Sequence, residues 1–303
     1  MVDHLLWIFP FELPYEFNRL ASLRYIATHI SSADAVVATS FETALPVRLY
    51  GKGRRFYFAQ HFEPLFFAGL PDNNLAKLEA YMSYRLGLEL IANSSWLKAR
   101  IQKDIPEVPV ELCLNAINHE LFHGPLRSYV AGERSVKLIS YGGRGVVWKG
   151  FAEMAEAVSL VRERLSDWKI EWQVYGSAAL PPNNTVAPYT PLGFLQPEQL
   201  ATAYRGADIL LSASWYESFP LFPLEAMACG LPVVTSQLGT EDFAIHGVTA
   251  EVVEPQNVES IATGLMRLIT DIPYRKKLAA NGQEISRQFT WEKSVQMMQK
   301  ILT

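Results

Sequence analysis

Short apolar runs rich in β-branched and aromatic residues recur along the chain, and most are followed by a longer segment with helical spacing. In the first part, residues 35–38, 56–59 and 88–91 read as strands, each leading into a helix or turn. Periodicity breaks across residues 114–130, where Asn, His, Gly and Pro cluster, and this stretch reads as a linker. The pattern then resumes with a strand at 136–140, the glycine turn Gly142-Gly143 and a helix near 149–165. A strand at 170–175, a helix near 197–204 and a strand at 208–211 follow. Further strands at 233–235 and 250–253 precede helices that run to the end. Strands alternating with helices imply an α/β fold with parallel sheets.

A chain of 303 residues fits two domains, each large enough to bury its own core. The expected division is an N-terminal Rossmann-like domain with linker at 1–125 and a second Rossmann-like domain at 126–285. A C-terminal helix at 286–303 is expected to pack back toward the first domain. The first domain looks incomplete, because no strand, glycine turn and helix precede Leu5-Leu6-Trp7-Ile8-Phe9. Fourteen of the 36 aromatic residues fall within the first 70 positions, Trp7, Phe9, Phe11 and Phe56 among them. Most read as core. Missing βα units would leave part of that surface uncovered and the chain prone to association.

Charge narrows the partners. With 27 Lys and Arg against 31 Asp and Glu, the net charge of -4 disfavours nucleic acid, whose binding runs on phosphate neutralisation. Cys113 and Cys229 stand far apart in no metal-ligand spacing, which points to a reducing compartment. No apolar run approaches the length of a membrane span, and the first residues lack a basic n-region. A cytoplasmic protein is expected, with work at the inner face of the membrane as one option.

The most informative segment runs from Glu217 to Val234. Pro220 and Pro223 forbid one continuous helix between Glu217 and Glu225, so Pro223 is expected at the first position of a new helix. Glu217 then lies in the preceding loop and Glu225 in the first helical turn. Free backbone N–H groups and the positive end of the helix dipole gather there and attract phosphate. A loop acid, an anion-binding helix end and a second acid able to accept from hydroxyls suggest recognition of a sugar phosphate or sugar nucleotide.

With this segment and the domain order in hand, the sequence resembles the retaining family 4 glycosyltransferases of the GT-B fold, in which two Rossmann-like domains face a cleft. The resemblance covers nearly all of the chain and is strongest from 140 to 255. It implies that Glu217, the first acid of the E-x7-E segment, lies near the transferred sugar and that Glu225 binds the nucleotide ribose. Phe219, Pro220 and Leu221 lie between them on the donor side. The stretch Gly143-Arg144-Gly145-Val146-Val147-Trp148-Lys149 is similar to the family's G-R-x4-K, whose two cations hold the donor diphosphate. Gly193-Phe194-Leu195 looks like the loop that meets the nucleobase. The segments 57–64 and 239–244 look closest to a bacterial branch with rhamnosyltransferase-like members. Three departures stand out: Pro220 occupies a common glycine position, the linker reads Asn115-Ala116-Ile117-Asn118, and the family's N-terminal glycine-rich loop has no counterpart. The chain is therefore expected to be a fragment or a late-start product.

The resemblance implies transfer of a hexosyl or deoxyhexosyl group from a nucleotide sugar to a hydroxyl of a glycan or lipid-linked acceptor. Arg144 and Lys149 alone would read as a solvated surface pair; after a glycine turn at a strand's carboxyl end they read as phosphate ligands. Glu225 as a helix-capping acid and Glu217 as a solvated loop acid are the plainer alternatives. His61, at the end of a strand, reads as structural or as facing the reaction centre. Ser94-Ser95 reads as a helix N-cap. No D-x-D stretch occurs, so neither a metal nor another cofactor is expected. A donor-binding but inactive module, and a sugar-nucleotide epimerase or phosphorylase of the same architecture, remain as alternatives.

Overall fold

The computed structural model describes residues 24–25, 28–30, 33–129, 132–143, 146–176 and 187–303. Trp7, Phe9, Phe11 and Arg144, singled out above, lie outside them. The chain divides into two compact units. The first comprises Met1–Asn93, Leu97–Cys113 and Met297–Thr303, and the second Ser94–Trp96 and Leu114–Gln296.

Among the described residues, the first unit is built on four parallel strands in the order β1-β2-β3-β4: β1 Ala35–Ala38, β2 Arg54–Ala59, β3 Glu89–Ala92 and β4 Val110–Leu112. Helices α1 Phe41–Tyr50, α2 Leu75–Ser83 and α3 Ser95–Asp104 connect them. The side-chain period of two explains why β2 reads as a continuous apolar run, since a parallel strand is covered on both faces. Phe56 and Phe58 point to a core with Ile91 and Cys113, which the end of the chain closes with Met297, Met298, Ile301 and Leu302. On the opposite face, Tyr57 stacks on Tyr84 and Tyr84 on Phe62, with ring centroids 5.5 and 5.9 Å apart. Strand β4 was not expected: it is three residues long and follows Pro106 and Pro109, too short to show a period.

The second unit has a six-stranded parallel sheet in the order β10-β9-β8-β5-β6-β7. Its strands are β5 Ser135–Tyr141, β6 Lys169–Tyr175, β7 Thr190–Gly193, β8 Ile209–Ser212, β9 Val233–Ser236 and β10 Glu251–Val253. Helices α4 Phe151–Arg164, α5 Pro197–Gly206, α6 Leu221–Ala228, α7 Val258–Thr270 and α8 Ile272–Ser286 follow in order, and α9 Trp291–Leu302 closes the chain. One face of the sheet packs on α4 and α7, where Trp172 stacks on Phe151 at 5.4 Å and its indole N–H donates to Ser140 Oγ at 3.0 Å. The other face packs on α5 and α6 through Tyr204, Leu224, Met227 and Val233. Residues expected to form a linker lie on this second core: Ile117 and Phe122 are buried in it, and Gln283 donates to the Gly124 carbonyl at 2.8 Å. Strand β7 was also missed. Pro191 and Gly193 argue against a strand, and the fold tolerates them because β7 is the sheet edge.

Two local expectations are corrected. Helix α6 begins at Leu221, so Pro223 is its third residue rather than its first, and Glu225 is the fifth, in the second turn. Proline fits anywhere in the first turn because those N–H groups have no intrahelical acceptor. The helix expected from residue 149 begins at Phe151, after a 3-10 turn, Val147–Lys149, that ends at Gly150.

Candidate functional site

In an open parallel sheet, ligands collect outside the carboxyl ends of the strands where the strand order reverses. In the second unit that point lies between β5 and β8: β6 and β7 extend the sheet to one side of β5, β9 and β10 beyond β8 on the other. The segments leaving these two strands carry Lys149 and Glu217, and the fold brings them together. Lys149 Nζ donates to Glu217 Oε1 at 2.6 Å, and Ser214 Oγ donates to the same oxygen at 2.9 Å. Their side chains are only 25% and 14% exposed, so water screens this pair less than one on the open surface.

Backbone geometry fixes the pair. The Trp215 N–H donates to the Trp148 carbonyl at 2.8 Å, and the Glu217 N–H to the Leu238 carbonyl at 3.1 Å. Trp148 stacks on Tyr216, and the Trp215 indole N–H donates to Glu153 of α4 at 2.9 Å. Two glycines make the close approach possible. Gly150 has φ +69°, and a Cβ there would stand 2.1 Å from the Ala213 carbonyl oxygen; at Gly239, φ is +89° and the distance to the Glu217 carbonyl oxygen would be 2.2 Å. Only glycine fits either place. Gly143, with φ +77°, lies against the Lys149 stem, 3.5 Å from its Cβ to the place a glycine Cβ would take.

Helix α6 presents its N-terminus beside this loop. Pro220 precedes it in an extended conformation, φ -69° and ψ 122°, and Pro223 removes one of the four N–H groups that a helix start leaves free. Glu225 sits one turn further in, next to the buried Tyr175 and Tyr204, whose hydroxyls share a hydrogen bond of 2.8 Å. Its Oε2 is buried and has no hydrogen-bond partner among the described residues. Burial pushes the Glu225 carboxyl up to about 7. A buried acceptor without a donor costs free energy, and a ligand hydroxyl placed there would remove that cost.

The other sequence candidates fall in different places. Phe194 follows β7 and is 63% exposed, while Leu195 is partly buried and packs on the core of the second unit. Phe219 is buried between Phe243 and Phe289, at 5.5 Å from each ring, so its side chain belongs to the core and only its backbone is left to meet a ligand. Leu221 is exposed at the start of α6. His61 belongs to the first unit, where its ring lies against Phe66 at 4.6 Å and its carbonyl accepts from the Tyr84 hydroxyl at 3.1 Å. Beside it Glu63, 5% exposed, accepts from the Phe41 N–H at 2.9 Å and from the Tyr57 hydroxyl. Burial raises its carboxyl to about 7 as well. That bond caps the start of α1 from 22 residues away, a structural duty that no spacing in the sequence announced. Ser214 and Gly150 were missed too: a serine three residues before an acid and a glycine after a lysine carry no signal until β5 and β8 are placed side by side.

Residues 136–271 match the family model for glycosyl transferases group 1. The second unit thus resembles a group 1 glycosyltransferase domain over a stretch that is less than half of the chain. An O-antigen biosynthesis protein of Myxococcus xanthus is 27% identical over 283 residues, which cover 89% of this chain and 21% of that protein. An O-antigen chain mannosyltransferase of Escherichia coli is 35% identical over 101 residues, 33% of this chain and 26% of the relative. The chain thus spans about a quarter or less of the length of the curated relatives named here. Among solved structures, a sucrose-phosphate synthase of Thermosynechococcus elongatus superposes with a TM-score of 0.78 at 19% identity, covering 96% of this chain and 79% of that one. At that identity the likeness concerns the fold, which is of the GT-B type.

Proposed function

We propose that the chain binds a nucleotide sugar through its second unit and transfers the glycosyl group, a hexose or deoxyhexose, to a hydroxyl of a glycan or lipid-linked acceptor with retained anomeric configuration. The observation that carries this reading is the Lys149–Glu217 pair at the reversal of strand order, beside the α6 N-terminus and the unpartnered Glu225 oxygen. Breaking the bond between the anomeric carbon and the diphosphate leaves positive charge on the sugar and negative charge on the departing group. Preorganised charge at the second location contributes most to such a reaction. Lys149 supplies it together with Arg144 and the α6 N–H groups, with no metal invoked. Glu217 holds Lys149 in place before the diphosphate arrives and faces the sugar. Glu225 accepts from the ribose hydroxyls, and Leu195 with the backbone of the Phe194 loop borders the base.

The relatives support a role in building surface polysaccharide, since one is an O-antigen biosynthesis protein and another an O-antigen chain mannosyltransferase. A lipid-linked acceptor would bring the protein to the cytoplasmic face of the membrane; no helix among the described residues is long and apolar enough to cross it. A thermal-shift screen against UDP-, GDP-, ADP- and dTDP-sugars tests the reading. A cognate donor at 100 times its dissociation constant stabilises by about 2.7 kcal/mol, and no shift with any donor would refute it.

A further inference from the structure

At the opposite end of the same sheet, where β5 begins and the chain enters β8, lies a polar cavity of about 230 Å³. Arg127, Tyr129, Lys137, Asp208 and Arg275 line it together with Glu133 and Glu171. Arg275, on α8, is 3% exposed; its guanidinium lies 3.9 Å from the centroid of the Tyr129 ring. Its Nε and Nη1 are buried without a hydrogen-bond partner among the described residues, and so is the Tyr129 hydroxyl. Asp208 makes its hydrogen bonds elsewhere, one oxygen taking Arg127 Nε and the other the Lys137 N–H at 2.8 Å, and acts on Arg275 through charge alone. Glu171 is engaged by Lys169 at 2.5 Å, and Glu133 is exposed. Cationic and acidic side chains thus line the cavity in equal number, yet three buried donor atoms, Arg275 Nε and Nη1 and the Tyr129 hydroxyl, go unused.

A buried guanidinium lacking an acceptor is costly, and cations placed close together repel; an anion between them cures both. We propose that this cavity is a second ligand site, distinct from the nucleotide-sugar site, that takes a phosphate group, free or as a phosphomonoester. Planar guanidinium donors match the oxygens of phosphate, and Tyr129 adds a neutral donor. The volume holds a phosphate with a few waters, each taking about 30 Å³. Burial depresses the Arg275 guanidinium, although the charges of Asp208 and Glu133 act in the other direction.

Titration calorimetry of the full chain with inorganic phosphate, and separately with glycerol 3-phosphate, tests the site. Saturable binding of either one is expected, the tighter of the two identifying the source. Arg275→Gln should weaken it at least tenfold and Tyr129→Phe by about threefold, while Lys149→Ala leaves it unchanged. Should Arg275→Gln fail to fold, Tyr129→Phe and Arg127→Gln, checked by circular dichroism, carry the same test. Absence of binding, binding untouched by these variants, or binding lost in Lys149→Ala would overturn the proposal.

Discussion

Glu225 gives the sharpest test of how the site was built, because its cost to the fold has a sign and a pH range. Its carboxyl is raised from an ordinary 4.5 to about 7 by burial. Below pH 4.5 it is protonated folded and unfolded, and contributes nothing that varies. As pH rises, the unfolded chain ionises it first, so stability falls between pH 4.5 and 7 and levels off above. Each pH unit of separation is worth 1.36 kcal/mol, which places the loss at about 3 kcal/mol by pH 8.5. Glu225→Gln abolishes the titration and leaves the shape nearly unchanged. The variant should match or fall slightly below the wild type at pH 4.5 and exceed it by about 3 kcal/mol at pH 8.5. Urea unfolding followed by tryptophan fluorescence is the assay, since six of the seven tryptophans lie in the second unit. The similar carboxyl at Glu63 cancels in the difference between the two proteins. A difference that does not vary with pH would refute the reasoning. Gain of stability with loss of nucleotide affinity in one variant is the mark of a group retained for binding.

Gly239→Ala puts a Cβ 2.2 Å from the Glu217 carbonyl oxygen at a positive φ, and is expected to cost about 2 kcal/mol or more in urea melts while displacing the Lys149–Glu217 pair; an unchanged melt would show that this loop is not held as described. Transferase activity is expected to survive EDTA, and complete loss restored by manganese would contradict neutralisation of the diphosphate by Lys149, Arg144 and the helix end.

Most strands of both sheets are legible in the sequence because a parallel strand buried on two faces is a short apolar run, as at residues 170–175 and 233–235. The edge strand β7 and the brief β4 are not, since Pro191, Gly193 and a three-residue length erase the pattern. The acid-bearing segment is legible because its prolines and glycine punctuate it, although Pro223 sits two positions deeper in the helix than the first-position preference suggests. The pairing of Lys149 with Glu217 could not be read, as 68 residues separate them and only the adjacency of β5 and β8 joins them. Nor could the role of Phe219: an aromatic residue between two site acids reads as part of the site, yet the packing of Phe243 and Phe289 claims it for the core.

The central claim, that the second unit is a diphosphate site centred on Lys149, is tested by the affinity of wild-type protein and Lys149→Ala for the cognate nucleoside diphosphate and for the nucleoside alone. A charge-assisted contact to phosphate is worth about 1.5–3 kcal/mol, so calorimetry should show the diphosphate weakened by roughly ten- to a hundredfold and the nucleoside unaffected. Equal losses for both ligands, or undiminished diphosphate binding, would contradict it.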